Sequence, residues 1–235
     1  VSLDDDIRSR LEEIRARIDR AASMAGRQGQ DIRLVAVSKT FGLDHIRAAF
    51  AAGQRDFGEN RVQEALQKIG GSTDLLIRWH LIGTLQSNKA RKAADVFEWI
   101  HSVDSLELLQ RLDSAASQAG RHPNLLVQVD LAGEATKHGV PADRVPAIFQ
   151  AARTCRAARI VGLMLLPPWS EDPDGSRPYF SQLRKLRDQL RVQGVPTEML
   201  QELSMGMSHD FEAAVLEGAT MVRIGTAIFG RRMSQ

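Results

Sequence analysis

Short apolar runs rich in Val, Ile and Leu alternate with longer amphipathic stretches along almost the whole chain. The opening stretch is helical in period. Leu3, Ile7, Leu11, Ile14, Ile18 and Ala21 or Ala22 recur on one helix face, behind the acidic start Asp4, Asp5 and Asp6. This predicts an amphipathic helix over residues 3–24 that ends at Gly26. Eight apolar runs follow, at 32–38 (IRLVAVS), 55–59 (RDFGE), 77–83 (IRWHLIG), 98–103 (EWIHSV), 124–131 (NLLVQVDL), 160–166 (IVGLMLL), 198–205 (EMLQELSM) and 221–225 (MVRIG). Helical patterns at 43–52, 61–68, 88–96, 105–119, 143–155, 177–193 and 210–217 fill the gaps. Such alternation predicts βα units and a parallel sheet.

Eight units within 235 residues suit an α/β fold of the (β/α)8 TIM-barrel type, which uses about 250 residues for one core. A doubly wound open sheet competes, because the same alternation feeds both folds and only strand order separates them. The barrel is favoured because VAVSKTFG, not a Gly-rich dinucleotide turn, follows the first run. No linker splits the chain, so one domain is expected over 1–235, with the helix of 1–26 packed on the barrel. The stretch 167–178 (PPWSEDPDGSRP) lies inside one βα unit and reads as a rim or lid loop.

Composition narrows the chemistry. Lys and Arg number 31 against 29 Asp and Glu, a net charge of +2, too balanced for the basic field of a nucleic-acid binder. No apolar run approaches the roughly 20 residues that span a bilayer, so no membrane partner is expected. A lone Cys155 cannot form an internal disulfide or a metal finger, which suits a reducing cytoplasm. The six histidines show no paired metal spacing, no GxSxG elbow or GxxxxGK[ST] loop occurs, and no metal is expected.

In a barrel the reactive groups stand where strands end. Lys39 shares a strand face with Val35 and Val37, which puts its stem in the barrel mouth. Desolvation there favours the neutral amine, a nucleophile toward aldehydes, whereas the alternative is a lysine that snorkels to water. In LSMGMSHDFEAAVLEGATMVRIGTAIFG, residues 203–230, Ser204, Gly206 and Ser208 form a hydroxyl-rich turn, and Gly225-Thr226 follows the last run. These are either a phosphate cradle or ordinary turn chemistry, with Ser208 capping a helix that carries Asp210 and Glu212. Arg223 interrupts an apolar strand and needs an acceptor: a structural carboxylate such as Glu59, or a ligand anion or ring nitrogen. An amine, an anion cradle and a buried arginine together describe a pocket for pyridoxal phosphate.

The strings LVAVSKT, FGENRVQEA, WHLIGTLQSNKARK, HSVDS, GEATKHG and GLM, with the 203–230 segment, resemble the pyridoxal phosphate homeostasis protein family over about residues 32–230. That family resembles the barrel domain of fold-type III enzymes such as alanine racemase. The resemblance implies a Schiff base on Lys39, Arg223 facing the pyridine nitrogen, Ser204, Gly225 and Thr226 on the phosphate, and Asn60 beside the ring. Ser208, His80 and Ile82 would be wall residues. It also implies cofactor buffering or delivery to recipient enzymes, not efficient catalysis, by a monomer lacking the racemases' C-terminal domain. The functional alternative is a racemase or related enzyme. Against it, a guanidinium supplies no proton to the ring. The one tyrosine, Tyr179, has no evident place over the cofactor.

Overall fold

A computed structural model describes residues 2–133 and 138–230. The chain begins with helix α1 (Leu3–Met24), whose N-cap Ser2 accepts from the Asp5 N–H at 3.2 Å. It then alternates β1 (Arg33–Val37), α2 (Leu43–Ala51), β2 (Asp56–Glu59), α3 (Val62–Gly70), β3 (Arg78–Leu81), α4 (Ala90–Val96), β4 (Trp99–Val103) and α5 (Leu106–Ala119). The second half continues β5 (Asn124–Asp130), β6 (Val140–Pro141), α6 (Val145–Ala152), β7 (Arg159–Leu165), α7 (Arg177–Val192), β8 (Glu202–Ser204), α8 (Phe211–Leu216), β9 (Met221–Ile224) and α9 (Thr226–Phe229).

Strand order settles the choice between open sheet and barrel. All pairings are parallel; β1 pairs with both β2 and β9, and β4 pairs with β5, so eight strands close on themselves. The two-residue β6 only extends the end of β5. Closure pairs each of the eight barrel strands on both sides, and helices cover the outside, as the near-continuous apolar strands require.

The strands' two faces serve different cores. Outward residues such as Leu34, Phe57, Ile100, Leu125, Leu163 and Val222 pack under the helices. Inside the barrel Trp99, Leu126, Met164 and Met221 form a small separate cluster. Helix α1 buries Ile7, Leu11, Ile14 and Ile18 against α2, α8 and α9, each side chain contributing about 1.5–3 kcal/mol.

Three expected boundaries shift. The run 198–205 yields only Glu202–Ser204 as strand, because residues after Pro196 turn into a 3-10 segment, Thr197–Met199. Helices expected from 88 and 143 open as 3-10 turns, Ser87–Lys89 and Ala142–Arg144, the latter ahead of Pro146 in the first turn of α6. Among the described residues, no helix is long and apolar enough to cross a membrane.

Candidate functional site

A cavity of about 430 Å³ opens where the strands end. Val37 and Lys39 reach it from the end of β1, Asn60 from β2, Ile82 from β3, Gln128 from β5, Leu166 from β7, Ser208 from the loop after β8, and Arg223, Gly225 and Thr226 from β9 and beyond. With Thr84 and His209 it thus gathers an amine, a guanidinium, an imidazole, two amides and three hydroxyl residues against Ile and Val walls, the usual make-up of a small-molecule site. A cleft of about 530 Å³ at the opposite end of the barrel differs in kind: its arginines, Arg15, Arg33, Arg55 and Arg78, are matched by Asp19, Asp31, Asp56 and Glu202.

The turn carrying Lys39 is held on both flanks. Ser38 donates its hydroxyl proton to Glu59 Oε1 at 2.6 Å, and the Thr40 N–H donates to Glu64 Oε1 at 2.6 Å. Lys68 Nζ joins these groups, donating to the Ser38 carbonyl at 2.8 Å, Glu59 Oε1 at 2.7 Å and Glu64 Oε1 at 2.8 Å. Burial pushes the Glu59 carboxyl up, against the pull of Lys68 and Ser38. Thr40 has φ 69°, the only non-glycine positive φ among the described residues, a strain of about 1–3 kcal/mol for a β-branched residue. The α3 clamp opposes that strain and fixes where Lys39 leaves the strand.

Arg223 is 3% exposed, and burial pushes its guanidinium down to about 10, against the upward pull of Asp210. Glu59 is not its partner, because Lys68 and Ser38 have taken that carboxylate. Instead Nη1 donates to Ser204 Oγ at 2.6 Å and Nη2 to the Leu165 carbonyl at 2.9 Å. Among the described residues no carboxylate hydrogen-bonds to it; Asp210 acts on its charge only from a distance.

The structure brings Lys39, Asn60, Arg223, Gly225 and Thr226 to one cavity, with Ser208 and Ile82. Ser204 stands apart from them: it is fully buried, outside the lining, with its hydroxyl engaged by Arg223 and His101. Ser208 is not a helix cap, since Asp210 occupies that position. Its hydroxyl instead accepts from the Gly225 N–H at 3.3 Å, tying the loop after β8 to the end of β9. Asp210 shapes that loop by accepting from the Met207 N–H at 2.7 Å. His80 is buried away from the cavity, and Tyr179 packs on the outer core from α7. Of the GEATKHG segment, residues 134–137 lie outside the described residues.

Sequence reasoning did not single out Glu64, Lys68 or His101. Glu64 and Lys68 carried a usable signal, an i, i+4 pair on a predicted helix directly after the second strand. His101 gave none, because its partners come from distant strands.

The alanine racemase N-terminal domain family model matches residues 9–233. A pyridoxal phosphate homeostasis protein of Pseudomonas aeruginosa is 45% identical over 227 residues, covering 96% of each chain, and one of Escherichia coli K12 is 39% identical over 235 residues, covering 97% of each. PipY of Synechococcus elongatus PCC7942, solved with pyridoxal phosphate bound, superposes with a TM-score of 0.85 at 43% identity, covering 95% of this chain and all of that one. An alanine racemase of Clostridium difficile 630 shares the fold alone, with a TM-score of 0.74 at 16% identity over 98% of this chain and 58% of its own. The barrel, the lysine at the end of its first strand and these full-length relatives lead to one assignment: the chain belongs to the pyridoxal phosphate homeostasis protein family.

Proposed function

We propose that this chain binds pyridoxal 5'-phosphate covalently on Lys39 and serves its homeostasis, by buffering or by delivery to cofactor-dependent enzymes. The observation that carries the reading is Arg223, a buried guanidinium without a carboxylate partner among the described residues, facing the same cavity as Lys39. When bound, the cofactor supplies an aldehyde that condenses reversibly with a primary amine. Lys39 presents that amine from a clamped turn. Arg223 offers its charge to the pyridine nitrogen, and Asn60 flanks the ring. Gly225 and Thr226, with Ser208, take the phosphate. Ser204 contributes through Arg223, not by touching phosphate.

Carriage is favoured over turnover on chemical grounds. A guanidinium keeps its proton, so it leaves the ring nitrogen unprotonated and the ring a poor electron sink. The tyrosine that racemases place opposite their lysine has no counterpart in Tyr179. We place the protein in the cytoplasm, where one cysteine and no disulfide are at home, as a monomeric single barrel.

The test is visible absorbance of the protein incubated with pyridoxal phosphate, then borohydride reduction and peptide mapping. A pyridoxyl group on Lys39, absent from Lys39→Ala, is expected. An unchanged spectrum in Lys39→Ala would refute the site. Incubation with amino acids in deuterated water is expected to show no α-proton exchange at enzyme-like rates; such exchange would favour the racemase alternative.

A further inference from the structure

Four hydrogen bonds run through the barrel interior from Arg223 toward its opposite end. Arg223 Nη1 meets Ser204 Oγ at 2.6 Å, Ser204 Oγ meets His101 Nδ1 at 2.9 Å, His101 Nε2 meets His80 Nδ1 at 3.0 Å, and His80 Nε2 meets Asp56 Oδ1 at 3.0 Å. The five residues come from β9, β8, β4, β3 and β2, and each is at most 5% exposed.

With Asp56 ionised and both imidazoles neutral, donor and acceptor capacities allow one proton arrangement. A guanidinium only donates, so Ser204 accepts from Arg223; in this arrangement its own proton goes to His101 Nδ1. That nitrogen therefore carries no hydrogen, and His101 donates from Nε2 to His80 Nδ1. His80 in turn donates from Nε2 to the Asp56 carboxylate. With both imidazoles neutral, the chain has charge only at its ends.

We propose that His101, with His80, is a positioning residue for Arg223: a one-way hydrogen-bond chain anchored on Asp56 holds the guanidinium, fully charged, against the cavity. Asp56 is itself bound bidentately by Arg78, at 2.6 and 2.8 Å, so the negative end is already neutralised. The neutral links leave the Arg223 charge for a ligand acceptor in the cavity, such as a ring nitrogen lone pair. Protonating either imidazole would add a like charge inside the barrel and reverse a donor. The surroundings oppose it: His80 stacks on Trp99 at 5.5 Å, Arg33 lies over the Trp99 ring at 4.4 Å, and His101 faces His80 and Arg223. Asp56 and, more weakly, Glu98 pull His80 the other way, yet burial and Arg33 keep it below its ordinary value, and burial does the same to His101.

The role toward pyridoxal phosphate rests on the functional reading above; the proton order does not. Long-range proton–nitrogen spectra of the ¹⁵N-labelled protein without cofactor, assigned with His80→Gln and His101→Gln, test that order. Both rings are expected as Nε2–H tautomers, unmoved between about pH 5.5 and 8.5. A ring that titrates there, or carries its proton on Nδ1, overturns the proposal. In the cofactor-loaded protein, His101→Leu removes both links, whereas the amide of His101→Gln offers oxygen to Ser204 and N–H to His80.

The leucine variant is expected to hold pyridoxal phosphate roughly tenfold more weakly and to shift the visible absorbance maximum and its pH profile. The glutamine variant should recover most of both. Equal affinity and spectra in wild type and a folded His101→Leu overturn the proposal. Ser204→Ala breaks the same chain with a smaller change and serves if the leucine variant does not fold. A wild type that takes up no cofactor counts against the functional reading alone, and the tautomer spectra then decide the relay.

Discussion

Lys68→Met isolates the clamp beneath Lys39. The substitution keeps the length of the side chain and removes the ammonium that three oxygens share at 2.7–2.8 Å. Glu59, 0% exposed, is then left with the Ser38 hydroxyl on Oε1 and no partner on Oε2. Breaking one side of a buried pair costs about 3–5 kcal/mol, which in a domain of this size lowers Tm on the order of 10 °C.

The loss has a pH signature. Burial already raises the Glu59 carboxyl, and losing Lys68 raises it further. A carboxyl with a raised folded-state pKa binds its proton more tightly in the native protein, so stability falls as pH rises from the unfolded value through the folded one. Lys68→Met is therefore expected to be closer to wild type at pH 5.5 than at pH 8, by about 1.4 kcal/mol for each unit of added shift. Urea unfolding followed by circular dichroism at both pH values, with Glu59→Gln and the double variant, measures it. The double variant should be more stable than Lys68→Met at pH 8, because no buried charge is left alone. A single variant within about 1 kcal/mol of wild type at pH 8, or equal losses at both pH values, would refute the argument.

Two further outcomes follow from the same geometry. His80 and His101 are held below their ordinary value by burial. Asp56 is held low by Arg78 and His80 although burial opposes it. In both cases the unfolded chain binds more protons, so stability should decline as pH falls below about 6.5 and more steeply below about 4. Asp56→Asn should flatten the steeper limb of a pH-dependent unfolding series. Gly206 has φ 91°, and an added Cβ would lie 2.6 Å from Ala214 Cβ and 3.0 Å from Phe211 Cα. Gly206→Ala should therefore cost about 2–4 kcal/mol of stability by urea unfolding and weaken pyridoxal phosphate binding by displacing the loop that carries Ser208.

The local pattern along the chain carried the secondary structure. The period of α1, the eight apolar runs and Lys39 at the end of the first all follow from residue spacing, because helix and strand periods act within a few residues of each other. An arginine inside MVRIG likewise announced a special position, since a strand buried on both faces tolerates no idle charge. What faces what was beyond that reach. Strand order closed the barrel instead of leaving an open sheet, and α3 folding back on β2 gave Glu59 to Lys68 instead of Arg223. The same closure set the Ser204 hydroxyl against Arg223 and His101, outside the cavity lining, and joined His80 and His101 to Asp56. The partners from Arg223 to Asp56 sit on different strands, and a hydrogen bond across a barrel depends on how the strands are ordered and staggered, which only the closed tertiary structure determines.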